Sequence, residues 1–407
     1  MFLRYKLTIP IFRKALTVAC IAILFTLAWL SHAQDFRGDD WSYLNWGRRT
    51  QNLMDAITNP PPFPYRRPLN ALVWQLQSWF GPAHWGPAQS TLILLWLLNS
   101  RRVYQIGKQL NGKLCATLSL FAVLCLSPFR ELIEWRSWLT MAGGLFGFLS
   151  AWKCLLQRPD SRSFQWFPIL WLCFGAGFRE DTWYYGILLL ISYKHFKSAG
   201  VALCILLFQL GLSDLNGSRF ALAHILQNLT ILAETLTQGP LLALYVLLPI
   251  CFHHIDWRRF TLFSTFGFLP ICVFYLPNPS YLLFSMVLLS IEMARVLSLS
   301  IDHRQWGIAL GLGIGLSTSF QTAQWDRWET NRHHQKKLQE EVRQVIKHID
   351  VEKLSSTHSE PNDEPSVWLS NYYECFHGIT HKSTIQMDAV EIHPHFWVQY
   401  KDSDQSE

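Results

Sequence analysis

The sequence predicts an all-α membrane protein, a multi-pass helical bundle of about eleven spans followed by a small α+β tail. Three observations predict it. Only 16% of the 407 residues are charged and 50% are apolar, against roughly 25% charged in soluble domains. Apolar runs recur along residues 1–325, and clusters of Lys and Arg fall between them as they do in cytoplasmic loops. Aromatic side chains make up 14% of the chain, with 19 Trp, as expected of belts at two membrane–water interfaces. The mean hydropathy of +0.12 is held down by polar loops and the hydrophilic tail.

Arg4, Lys6, Arg13 and Lys14 precede the apolar run Ala15 to Ala33, which places the N-terminus in the cytoplasm and the next loop outside. A cleaved signal peptide ending near SHAQ, residues 31–34, is the alternative. Leu69 to Phe80 reads as a short amphipathic helix on the outer surface, with Trp74, Leu76 and Trp79 as its apolar contacts and Gly81 and Pro82 as its stop. Ala88 to Ile106 returns to Arg101, Arg102, Lys108 and Lys113, and Leu114 to Ser127 goes out to the loop PFRELIEWRSW. Leu139 to Leu156 comes back in. Trp166 to Phe178 and Thr182 to Tyr193 form a hairpin with FRED, residues 178–181, at its outer tip. Both runs are short for a span.

Val201 to Leu212 then leads to an external segment, Asp214 to Gly239. Leu241 to Phe252, Phe260 to Leu276, Tyr281 to Leu297 and Trp306 to Phe320 complete the spans, and their odd total puts the tail outside. The tail, residues 326–407, opens on a charged stretch whose Leu338, Val342 and Ile346 share a helical face. From Val367 onward, SVWLSNYYECF and AVEIHPHFWVQY read as strands.

Composition also excludes function classes. The net charge of +6 is spread in short clusters between apolar runs, not in a phosphate-tracking stripe, so nucleic acid is not a partner. All the cysteines except Cys375 lie in or beside apolar runs, with no disulfide framework and no metal-ligand spacing. His253 with His254, and His333 with His334, lack a spaced third ligand.

The acidic residues at membrane edges fall on one side. Asp39 and Asp40 lie in the first external loop, Glu131 and Glu134 in the second, Glu180 and Asp181 in the third. Each loop also carries arginine: Arg66 and Arg67, Arg136, and Arg179. Ionisable groups at such depths are functional candidates by default. Carboxylates interleaved with arginines suit a hydroxyl that needs a base and a phosphate leaving group that needs cationic stabilisation. Arginine suits that second task because its planar fork holds two phosphate oxygens. The rival class is a transporter or lipid flippase, built from broken helices in matching halves; no inverted repeat is evident.

The acidic pair after the first span, YRRPLN (65–70), PFRELIEWRSWLTMAGGLFGFL (128–149) and FRED resemble the membrane-embedded C-type glycosyltransferases. The likeness is to the polyprenyl- or dolichyl-phosphate-sugar-dependent protein O-mannosyltransferases and their bacterial relatives, over residues 15–325. It implies an inverting hexosyltransferase of a bacterial inner membrane. The partners implied are a polyprenyl-phosphate sugar donor and a lipid, glycan or protein acceptor. It implies Asp39 or Asp40 as base. Arg66, Arg67, Arg136, Arg179, Glu180, Glu131 and Tyr275 would contact substrate. The likeness fixes no cofactor, and the spacing of the acidic pair does not decide between a bound divalent cation and none. The chain departs from the family by lacking an arginine before Tyr275 and Pro277, and its tail shows no tetratricopeptide period.

Overall fold

A computed structural model describes residues 2–31, 40, 43–44, 47, 54, 67–80, 86–126, 129–130, 132–133, 136–157, 164–211, 256–267, 283–300, 387–393 and 396–400. Among these, helix predominates. In chain order the helices are α1 (Phe2–Ser31), α2 (Pro68–Phe80), α3 (Pro87–Leu124), α4 (Leu139–Gln157), α5 (Trp166–Ala176), α6 (Asp181–Ser192), α7 (Phe196–Gly211), α8 (Trp257–Thr261) and α9 (Leu283–Ser300). A single 3₁₀ turn, Arg136–Trp138, leads into α4, and a π turn, Leu262–Phe266, follows α8. An antiparallel hairpin of β1 (Met387–His393) and β2 (Phe396–Tyr400) lies in the tail.

Hydropathy runs become helices where apolar side chains can be buried against one another. α4 is the centre of the packing: it lies against α3, α5 and α6, and nearly its whole surface is buried. α3 in turn packs along α1 and α9. The break between the two apolar runs of α3 falls at Asn111 and Gly112, where Gly112 takes φ +76°, a conformation glycine adopts without a Cβ penalty. Among the described residues Arg136–Gln157 is the one helical stretch both long and apolar enough to cross a membrane unaided; Trp166–Ala176 and Phe196–Phe208 are shorter.

The faces of α2 divide by burial. Trp74 is fully buried, but Leu76 and Trp79 are exposed, and the helix also buries Asn70, Ala71, Gln75 and Gln77. The reason is a polar neighbour: Gln77 Oε1 accepts the backbone N–H of Ala88 at the start of α3, 3.0 Å away. A buried amide with a partner is tolerated where a bare one is not. The apolar runs at 241–252 and 306–320, the segment at 214–239 and the charged stretch after 326 lie outside the described residues.

Packing places the N-termini of α2, α3, α4 and α6 at one end of the bundle. α6 then carries the chain about 18 Å to the other end. There Arg258 reaches the Ile191 carbonyl at 3.0 Å and Glu292 accepts from Arg259 and Arg295 at 3.0 and 2.7 Å.

Candidate functional site

The site forms where three connections meet. The FRED turn comes first. α5 ends at Gly177, and the next residues turn sharply into α6, so Arg179, Glu180 and Asp181 lie on a short corner over α4. The corner can sit so close because α4 is small there. A Cβ added at Gly144 would stand 2.8 Å from Thr182 Oγ1 and 3.2 Å from Arg179 Cβ, and one at Gly147 would meet the Gly175 Cα at 2.5 Å. Small residues permit this helix–helix approach, as at membrane helix interfaces generally.

The end of the first loop is fastened to that corner. The Gly177 carbonyl accepts the backbone N–H groups of Leu69 and Asn70 at 2.9 and 3.4 Å, which satisfies donors at the exposed start of α2. Beside this contact Arg67 donates Nε to Glu180 Oε2 at 2.9 Å and Nη2 to Oε1 at 2.8 Å, a bidentate fork. Arg67 Nη1 also donates to the Tyr43 hydroxyl at 3.3 Å. Tyr43 is itself held flat on Trp74, ring centroids 5.2 Å apart.

Burial pushes the Glu180 carboxyl up, but the charge and hydrogen bonds of Arg67, with Arg179 adding, outweigh it and hold the group well below the usual carboxylate range. Burial likewise opposes the charge of Arg67, and Glu180 and Tyr43 more than offset it. The pair is therefore ionic though nearly enclosed, at 10% and 9% side-chain exposure. Next to it Arg179 Nε donates to Asp181 Oδ2 at 2.7 Å.

The third connection enters through Asp40. This carboxylate is fully buried, and its Oδ1 accepts the Ser137 backbone N–H at 2.6 Å, in the 3₁₀ turn that opens α4. The positive end of a helix favours a negative charge there. Arg136, adjacent to that donor, is buried as well. The first loop, the 128–138 connection and the FRED corner thus share one end of the bundle, and they carry Asp40, Arg67, Arg136, Arg179, Glu180 and Asp181. Chemically, a fixed carboxylate accepts a proton from a hydroxyl, and guanidinium groups stabilise an oxyanion.

Of the residues singled out in the sequence, Arg67, Arg179 and Glu180 meet at the FRED corner, and Asp40 and Arg136 lie at the 3₁₀ turn that opens α4; Asp39, Arg66, Glu131, Glu134 and Tyr275 lie outside the described residues. Sequence reasoning missed Tyr43, Trp74 and Ser137. Only the first had a legible signal, an aromatic hydroxyl three positions after an acidic pair. Among the described residues no cluster of three His, Cys, Asp or Glu is arranged for a metal ion.

No protein-family model and no curated protein matches the chain. Among solved structures, the crystal structure of ArnT from Cupriavidus metallidurans bound to undecaprenyl phosphate is similar, with a TM-score of 0.45 and 14% identity over 73% of this chain. The chain spans 63% of the length of that neighbour.

Proposed function

We propose that the chain is an integral-membrane, inverting hexosyltransferase. It moves a sugar from a polyprenyl-phosphate-linked donor to a lipid, glycan or protein acceptor at the extracytoplasmic face of a bacterial inner membrane. The observation that carries this reading is the meeting of Asp40, Arg136 and the Arg67–Glu180 and Arg179–Asp181 pairs, drawn from three separate connections, at one end of the bundle. The exterior supports a lipid setting. Val18, Ile21, Phe25 and Trp29 form an exposed apolar row along α1, and Phe167 and Leu170 are exposed on α5, more apolar surface than a water-facing wall normally shows.

In this reading Asp40 is the base. Its Oδ1 is fixed by the Ser137 N–H, and the carboxylate takes the acceptor proton as the glycosidic bond forms, a contribution of about 10²- to 10⁴-fold. Arg179 and Arg136, with Arg66, stabilise the departing phosphate. Arg67 is less suited to that task because its Nε and Nη2 are engaged by Glu180; the fork instead holds the end of the first loop against the FRED corner. Asp39, Glu131 and Tyr275, outside the described residues, are the further substrate contacts this reading expects.

Right-side-out and inverted vesicles containing the full chain, given radiolabelled polyprenyl-phosphate hexose, test the proposal. Label entering a new glycosidic linkage on the extracytoplasmic side is the expected result. Label that crosses the bilayer with no new linkage would make the chain a transporter or flippase.

A further inference from the structure

We propose a second site, a groove between α3, α4 and α5 that holds the phosphate of an anionic phospholipid through Arg102 and Lys153. This inference needs only that the bundle is membrane-embedded; it does not need the transfer reaction. Ser150, on the groove floor, is about 16 Å along α4 from Leu139, so the groove lies well away from the Asp40 end.

Arg102 is held in place rather than loose. Its Nε donates to Ser150 Oγ at 3.1 Å and its Nη1 to Gln105 Oε1 at 2.9 Å. Its guanidinium carbon lies 5.5 Å from the centre of the Phe146 ring and 5.8 Å from that of Trp171. Those rings meet edge to face, so one arginine bridges α3 to both α4 and α5. Aromatic faces attract a cation but do not neutralise it.

Among the described residues the surrounding charge is all of one sign. The charged neighbours acting on Lys153 are Arg102 and Arg101, and no carboxylate among the described residues acts on either Arg102 or Lys153. Both side chains are half-buried, and Leu97 of α3, five residues before Arg102, and Leu170 of α5, next in sequence to Trp171, are exposed. Cations without a counter-ion beside an apolar surface are costly in a bilayer. A phospholipid supplies what is missing: its phosphate accepts from Arg102 Nη2 and the Lys153 ammonium, and its acyl chains cover Leu97 and Leu170. Basic pockets between helices at the cytoplasmic side take lipid headgroups in this way. Free phosphate satisfies the charges but leaves the leucines uncovered.

Native mass spectrometry of the purified full-length protein tests the site, with phosphatidylglycerol, phosphatidylethanolamine and undecaprenyl phosphate as probes. Phosphatidylglycerol should be retained over phosphatidylethanolamine. Arg102→Gln and Lys153→Gln should each weaken retention roughly fivefold, at about one basic group's worth of attraction, and together by tenfold or more. Lys197→Gln, an exposed basic control, should leave it unchanged. Lys153→Gln carries the test alone if the arginine variant misfolds. Unchanged retention in Lys153→Gln, or an equal loss in Lys197→Gln, would overturn the proposal. So would preferential uptake of undecaprenyl phosphate that both groove variants abolish, because the ligand would then be the carrier lipid.

Discussion

At the scale of single residues, the Arg67–Glu180 fork decides how far the first loop is tied to the helices. Removing one partner leaves the other charge enclosed and uncompensated, so Arg67→Ala or Glu180→Ala should lower stability by about 3–5 kcal/mol, read as thermal unfolding in detergent. Replacing both with apolar side chains of similar volume should cost much less. The pH dependence follows from the lowered Glu180 carboxyl. Its contribution is complete above the unfolded-state value of about 4.3 and is lost as pH falls through the lower folded-state value. Acid unfolding of the wild type should therefore weaken in the Arg67→Ala, Glu180→Ala double variant, and an unchanged acid limb would contradict the pairing. Each partner was legible in the sequence as a membrane-edge charge. Their pairing was not, because the two lie 113 residues apart and a charge pattern read along the chain carries no distance between loops. Ser137 was illegible for a related reason: it acts through a backbone N–H, which any residue but proline has.

At the scale of elements, α4 is packed against its neighbours through missing side chains. Gly147→Ala would drive a Cβ to 2.5 Å from the Gly175 Cα and the Trp171 carbonyl oxygen. Backbone atoms yield only if α5 moves as a body, so about 1–3 kcal/mol of stability should be lost, and the FRED corner should shift with it. Gly200 in α7 offers the contrast. A Cβ there meets nothing within 4 Å, so Gly200→Ala should be neutral or stabilising by up to about 1 kcal/mol. Comparable losses for both would show that helix propensity, not close approach, sets the cost. The helices themselves were readable from apolar runs: predicted Leu139 to Leu156 stands as Leu139–Gln157, and Thr182 to Tyr193 as Asp181–Ser192. What hydropathy did not show was the buried polar face of α2. A Gln side chain scores as polar wherever it points, yet Gln77 is buried because Ala88 offers it a donor.

At the scale of the whole molecule, the account rests on two chemically different ends. The Asp40 end holds Asp40, Glu180 and Asp181 beside Arg67, Arg136 and Arg179, while the far end of α6 holds Asp256 and Glu292 beside Arg258, Arg259 and Arg295 and is followed by Lys194, His195 and Lys197, the basic excess of a cytoplasmic edge. Trp79→Cys on α2 and Lys197→Cys, in a background lacking the nine native cysteines, should separate them. An impermeant maleimide should label the first in intact cells and the second only after permeabilisation; labelling of both in intact cells would contradict the assigned orientation. The basic clusters predict this polarity, whereas the convergence of three loops on one corner required the packing of α4. The most direct measurement is sugar transfer by Asp40→Asn beside Asp40→Ala. Asparagine keeps an oxygen to accept the Ser137 N–H but is not a base, so transfer should fall about 10²- to 10⁴-fold with thermal stability near that of the wild type, while alanine should lose both. Wild-type turnover in Asp40→Asn would contradict the account and leave Asp40 as a cap on α4.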